Sequence, residues 1–418
     1  MNIESISLNF EFGLINDIGI LNDFDLYFKI KKMKILYNET INNNKNFIKF
    51  FQMLSNFNIE NNLTFLDING ELCKENLEIN QFECINELKA VTTLKLSNLF
   101  FDYLFIIKLT NLEILYINNC AKIVLINDAL KNVKELYLIE SIIMMNDDHL
   151  LELPNVEILE LLELDKHIWD EIFDFSYLFK IKRFSIDAKN FFIIKENSAL
   201  KNIQNLKLYY DEEDPLIFEN EENKEIYHSL TELTIWMKNC MENDLLFEDL
   251  LIKFPKILTL NLEVANSYFC YCNNKEHGTV IEFINSLDYQ IKEINIKGYL
   301  GDIYVRINCN FKKLEKININ TCHCIAILFP IFYKNCNIFE SLTDFTLKYA
   351  YLNFEALVNI YHNIDKMPNL KNFTLSCTNN CFNEFLYEKY IDKLSKLKVN
   401  NINIDIHSTD GDTVKFKL

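Results

Sequence analysis

Glycine and proline are scarce in this chain, at 7 and 5 of 418 residues. No Pro/Gly/Ser-rich stretch is present, so nothing reads as a flexible linker between separate domains. Arginine occurs only at Arg183 and Arg306, and the formal net charge is −18. A phosphate-binding surface needs a basic stripe, so nucleic acid and anionic membranes are excluded as expected partners. A protein partner with a basic surface fits the charge better. The same excess also serves simple solubility. No apolar run approaches the ~18–20 residues of a spanning helix. The first residues, Met-Asn-Ile-Glu-Ser-Ile-Ser-Leu, lack a basic stretch followed by an apolar one. No signal peptide is therefore expected, and a cytoplasmic location is.

Catalytic signatures are also missing. There is no Gly-rich phosphate loop, no nucleophile elbow and no His-Glu-x-x-His, and the seven His are dispersed. No enzyme activity, cofactor or metal is expected. Cys270-x-Cys272 with His277, and Cys322-His323-Cys324, are the nearest approach to a zinc site. They follow repeats that are not neighbours, and no Cys-x-x-Cys knuckle is present. Most of the 12 cysteines sit within apolar patterns and read as reduced core residues.

What the chain does contain is repetition. The stretch Leu112-Glu-Ile-Leu-Tyr-Ile-Asn-Asn-Cys120 places apolar residues at Leu112, Leu115 and Ile117. The same apolar-x-x-apolar-x-apolar spacing begins at Leu63, Val91, Leu112, Val133, Val156, Ile181, Ile203, Leu230, Ile257, Ile291, Leu314, Leu342, Leu370 and Val399. These fourteen starts lie 21–34 residues apart. A period in this range marks a solenoid, in which each coil shares its apolar edge with the next. It also accommodates a chain longer than the ~250–300 residues at which a single core stops growing.

On these residues the chain resembles the leucine-rich-repeat family across roughly residues 60–405. Asparagine at the motif's end is mostly missing, and Cys120 and Cys322 replace it, as in the cysteine-containing and ribonuclease-inhibitor-like subclasses. The resemblance implies an α/β horseshoe solenoid: one long curved parallel sheet on the concave face, short helices or irregular turns on the convex face. It also implies a concave face that binds protein. Ran GTPase-activating proteins and F-box adaptors share the architecture, but the polar repeat residues of the first and the Leu-Pro-rich helix of the second are not matched here.

The expected organisation is an N-terminal cap over 1–60, about 14 repeats over 61–405, and a capping strand or hairpin over 406–418. Alternation at Ile6, Leu8, Phe10 and Phe12 predicts a strand, Phe28 and Ile30 suggest the start of another, and Asn44–Asn58 reads as a helix. Asp410-Gly411 is a hairpin signal between alternating Ile402, Ile404, Ile406 and Val414, Phe416, Leu418. Among return segments, Asn127–Lys131 predicts a brief helix and Asn146–Leu153 a capped helical turn. Asn243–Lys253, Thr279–Leu287 and Asn353–Ile364 carry apolar residues at helical spacing and predict helices.

Function would reside between the core positions. Glu113, Lys134, Glu157 and Lys182 alternate in sign on successive strands and predict a lateral ion-pair ladder. Ile114, Tyr116, Tyr137 and Ile158 would cluster on the concave face with Glu160 in the same row, and Trp236 would extend the surface. The alternative is that a loop or cap covers them. The polar insertion at Asp211, Glu212, Glu213 and Asp214 reads as a solvated loop or an acidic contact for a basic partner. The expectation is a non-enzymatic protein-interaction module. The alternative is a structural protein that self-associates into a homo-oligomer.

Overall fold

A computed structural model of the chain describes residues 4–10, 30–37, 62–70, 82–145, 150–164, 172–194, 198–210, 227–237, 245–246, 254, 256–264, 279–284, 290–298, 303–308, 313–321, 325–328, 340–351, 367–379, 401–408 and 413–417. They divide into two compact units, Met1–Asn202 and Ile203–Leu418. No helix among the described residues is long and apolar enough to cross a membrane.

In the first unit, the main sheet contains β1 (Ser5–Phe10), β2 (Lys32–Tyr37), β3 (Phe65–Asn69), β4 (Thr93–Ser97), β6 (Ile114–Asn118), β8 (Glu135–Ile139), β11 (Ile158–Leu162) and β13 (Arg183–Asp187). They pair in that order, every pair parallel. The return segments form β5 (Phe100–Ile106), β7 (Ala121–Leu125) and β9 (Ile142–Met145), a second parallel sheet, and the short pair β10 (Leu151–Glu152) and β12 (Phe173–Asp174). Among the described residues two α-helices, α1 (Asn127–Leu130) and α2 (Ala188–Ile194), and 3₁₀ turns at Glu83–Glu87, Phe175–Tyr177 and Ser198–Asn202 also lie in the return segments.

In the second unit, β14 (Asn205–Tyr210), β15 (Glu232–Met237), β17 (Thr259–Val264), β19 (Glu293–Gly298), β21 (Lys316–Thr321), β23 (Asp344–Tyr351), β24 (Asn372–Asn379) and β25 (Asn401–Ser408) pair in parallel. β26 (Thr413–Lys417) closes this sheet antiparallel to β25. That is the pairing predicted for the Asp410-Gly411 hairpin. The second unit's return strands, β16 (Leu245–Leu246), β18 (Thr279–Ile284), β20 (Ile303–Asn308) and β22 (Ile325–Leu328), make a second parallel sheet.

The repeat spacing explains this layout. Alternate residues of a strand face opposite sides. The apolar triplets starting at Leu63 through Leu370 are all buried, Leu112, Leu115 and Ile117 among them. Each such side chain contributes about 1.5–3 kcal/mol when buried, and a one-residue slip would expose the whole set. The buried pattern also extends upstream. Leu88, Leu109, Leu130, Leu153, Leu178, Leu200, Tyr227, Phe254 and Met367 stand three residues before their triplets and are buried too. At several of them a tight turn closes onto the strand, as where the Val133 N–H donates to Leu130 O at 3.0 Å.

One further copy lies before the first one predicted. Ile30, Met33 and Ile35 are buried at 2%, 0% and 2% exposure, and β2 pairs in register with β3. The described parts of residues 1–60 therefore continue the ladder as two more rungs.

The backbone holds the rungs in a constant register. Glu113 and Ile114 N–H both donate to Thr92 O, and Lys134 and Glu135 N–H both donate to Glu113 O. The same fork recurs along both units, as at Lys292 and Glu293 on Leu258 O. Past the strands of the first unit the chain turns through left-handed residues: Asn98 (φ 56°), Asn119 (φ 48°), Glu140 (φ 47°) and Glu163 (φ 50°). Asn suits this region better than most residues. The first three of these N–H groups donate to the last carbonyl of the next strand, as Asn98 does to Asn118 O at 2.9 Å. At Glu163 the Asp187 carboxylate accepts instead, at 2.8 Å.

Several predicted helices are corrected. Thr279–Ile284 is strand β18, and Leu245–Leu246, inside the predicted helix 243–253, is strand β16. The stretch Thr-Val-Ile-Glu-Phe-Ile satisfies a helical period, yet it is rich in β-branched residues. Pairing with β16 and β20 on either side rewards the strand instead. Leu151–Glu152, at the end of the predicted helical turn 146–153, is likewise a strand. The helix at Asn127 is present as α1. The predictions at 44–58 and 353–364 lie outside the described residues.

Candidate functional site: the solvent-facing side of the first ladder

The side of the first ladder opposite its core is built from alternate strand positions. Strand register sets two rows. One runs Phe65, Thr93, Ile114, Glu135, Ile158, Arg183. The other runs Lys34, Asp67, Lys95, Tyr116, Tyr137, Glu160, Ser185. The predicted residues Ile114, Tyr116, Tyr137, Ile158 and Glu160 therefore lie on three consecutive strands. Glu135 stands between Ile114 and Ile158.

Tyr116 and Tyr137 are half-buried, with ring centroids 5.7 Å apart at a tilted 46°. The Tyr137 hydroxyl donates to Glu135 Oε2 at 2.9 Å. Lys95 Nζ lies 5.5 Å from the Tyr116 ring and 5.9 Å from the Phe65 ring. Each cation–aromatic contact of this kind is worth about 0.5–1 kcal/mol at an exposed site. Lys34 pairs loosely with Asp67, at 4.0 Å. Phe65 and Lys95 were not singled out from sequence. Their signal was available, since both continue the rows that contain Ile114 and Tyr116.

The electrostatics of the patch are those of a neutral aromatic centre. Burial raises the Tyr116 hydroxyl above its ordinary range, and Glu160 and Asp67 push the same way. Burial also raises Tyr137, reinforced by its hydrogen bond to the Glu135 carboxylate. Both phenols stay protonated at neutral pH, each a donor at the tip of an apolar ring. Asp67 is raised by burial, against the pull of Lys34 and Lys95.

Trp236 belongs to the second unit, where its ring packs on Tyr209 with centroids 5.1 Å apart. The loop at Asp211, Glu212, Glu213 and Asp214 lies outside the described residues, as do Cys270, Cys272, His277 and Cys322–Cys324. Among the described residues no group of three or more His, Cys, Asp or Glu is placed to hold a metal ion.

The predicted charge ladder is present along the start of the strands. Lys134 pairs with Glu113 at 3.0 Å and Lys182 with Glu157 at 2.6 Å. Lys182 holds the Glu157 carboxyl below its ordinary range. Glu113, Lys134 and Glu157 line an open groove together with Asn111, Asn132 and Asn155. Those asparagines repeat one position before the triplet, and each donates its amide N–H back to the previous coil: to Lys89 O at 2.8 Å, Thr110 O at 2.9 Å and Lys131 O at 2.7 Å. All these groups bind one another, so the groove reads as coil-to-coil bracing.

Cys120 holds the position where the repeat motif ends. It is a buried free thiol, and burial pushes it up to about 12, far from the reactive thiolate form. Its Sγ donates to Asn118 O at 3.3 Å. In the next coil Ser141 takes the same place, its Oγ donating to Ile139 O at 2.7 Å and accepting the Cys120 N–H at 3.0 Å.

No protein-family model matches the chain, and no curated protein matches it.

Proposed function

We propose that the chain is a leucine-rich-repeat-type solenoid that acts as a non-enzymatic protein-interaction module. It binds a protein partner through the first ladder's outward face, centred on Tyr116 and Tyr137. The observation that carries the reading is the contiguous half-buried group Phe65, Lys95, Tyr116 and Tyr137, flanked by Ile114 and Ile158. Interfaces draw most of their energy from such aromatic anchors set on a rigid frame. The rings stand on paired strands, so they lose little freedom on binding. Burial against a partner leaves no phenolate to desolvate, because both hydroxyls are neutral.

The test is purification from the native source with identification of the bound protein, followed by a direct binding measurement on that purified partner. Tyr116→Ala combined with Tyr137→Ala is expected to weaken binding at least about a hundredfold, in the ≥ 2 kcal/mol range of hot spots. Wild-type affinity in a folded double variant would remove the assignment.

A second reading, self-association into a homo-oligomer, rests on apolar side chains on the return strands of the first unit. Tyr103 is 76% exposed, and Leu104, Ile142 and Met144 lie between 41% and 49%. A light-scattering mass that stays monomeric at every concentration would sink it.

A further inference from the structure

The outward face of the second unit carries a different chemistry, independent of the reading above. One row runs Thr234, Asn261, Asn295, Asn318, Thr346, Thr374, Asn403 across seven consecutive strands, set by their register. Lys207 on β14 precedes Thr234 in register and Lys417 on β26 faces Asn403, while the seven residues between them carry no charge, in a chain that is 24% charged. The amides join side by side. Asn261 Nδ2 donates to Thr234 Oγ1 at 3.0 Å and to Glu232 Oε1 at 2.9 Å. Asn295 donates to Asn261 Oδ1 at 2.8 Å, and Asn318 to Asn295 Oδ1 at 2.7 Å.

This chain leaves capacity unused. An amide offers two N–H donors and two acceptor lone pairs. Asn295 spends one of each on its neighbours, and Asn261 keeps a second lone pair on Oδ1. Asn261, Asn295 and Asn318 are half-buried, so these groups are held in place and still meet solvent. At one end of the same face stand Tyr209 and Trp236, adjacent in register and both half-buried. Beside the row Glu263 bridges two lysines, its Oε2 3.7 Å from Lys207 Nζ and its Oε1 3.2 Å from Lys297 Nζ, and Lys207 Nζ also lies 4.7 Å from the Tyr209 ring.

We infer that the amide row of Asn261, Asn295 and Asn318, with the Tyr209–Trp236 pair at its end, binds a neutral linear oligosaccharide lying across the strands. An apolar partner would strand the amide groups, at about 1–3 kcal/mol for each one buried without a partner. An ionic ligand finds no charge in the row between Thr234 and Asn403. An extended peptide presents its groups every ~3.3 Å, out of step with rungs ~4.8 Å apart. A polyol matches both features. Each hydroxyl both donates and accepts, as the unused amide groups require, and a pyranose ring covers about one rung spacing. The C–H face of a sugar ring stacks on the electron-rich face of Trp or Tyr.

The test is calorimetric titration of the full chain with neutral cello-, xylo-, manno- and malto-oligosaccharides, alongside an uncharged Asn-rich peptide. At least one sugar is expected to bind saturably at millimolar concentration or tighter. Trp236→Ala is expected to abolish that binding and Asn295→Ala to weaken it about tenfold. Trp236→Phe, which keeps a ring to stack on, is expected to retain most of it. Tyr116→Ala, in the other unit, is expected to leave it unchanged. The inference is overturned if no sugar binds, if binding survives both alanine substitutions in chains with wild-type circular dichroism, or if the peptide alone binds.

Discussion

Replacing Ser141 with alanine tests whether the junction between coils depends on this one hydroxyl. Ser141 is 3% exposed. Its Oγ accepts the N–H of Cys120 and donates to Ile139 O. The substitution removes both bonds with different consequences. Ile139 O keeps the Asn119 N–H, at 2.9 Å, so the carbonyl remains satisfied. The Cys120 N–H has no such second acceptor in the described contacts and is left buried. An unmet buried donor costs about 1–3 kcal/mol. For a unit of this size that corresponds to a fall of roughly 3–10 °C in Tm.

Urea unfolding at constant m would measure the loss. Repeat proteins open locally as well as globally, so hydrogen exchange at the Cys120 amide gives the sharper readout. It should quicken far more than exchange within β6 or β8. Ser141→Cys is expected to fall in between, because the preceding coil already uses a thiol at this place, with Cys120 Sγ on Asn118 O. A loss under about 0.5 kcal/mol, the ordinary scatter of surface changes, together with unchanged exchange at Cys120, would refute the reasoning.

Two further outcomes follow from the packing. A Cβ added at Gly70 would sit 2.5 Å from Asn98 O and 2.9 Å from Leu99 Cδ2. Because the first contact is backbone, Gly70→Ala is expected to destabilise by about 1–3 kcal/mol, measured by the same urea titration. A wild-type midpoint would show that the two coils can part at no cost. Cys120 is expected to resist a maleimide at pH 8 while the chain is folded and to react on denaturation. Peptide-level mass spectrometry reads this site apart from the other cysteines, and rapid labelling of the native chain would contradict its burial.

The periodic core was legible in the amino-acid order because burial imposes it locally. Leu112, Leu115 and Ile117 must alternate to face one side of a strand, and every described copy of that triplet is buried. The Glu113–Lys134 and Glu157–Lys182 pairs were legible for the same reason, since equal spacing puts equivalent positions side by side. The copy at Ile30, Met33 and Ile35 obeyed the same rule, and its lysine-rich surroundings concealed it.

Other features depended on which segments meet. Thr279–Ile284 has the apolar period of a helix and the branching of a strand, and only its neighbours β16 and β20 settle the choice. Within the second unit, the strand register sets the Trp236 ring against Tyr209, 27 residues away, with centroids 5.1 Å apart. The sequence alone determined the coil, because core positions answer to a local rule of alternation and burial. Beyond those ion pairs, the hydrogen-bond partners of its outward-facing residues were decided by tertiary structure. Asn295 meets Asn261 from 34 residues away, across a longer return segment than its neighbours have.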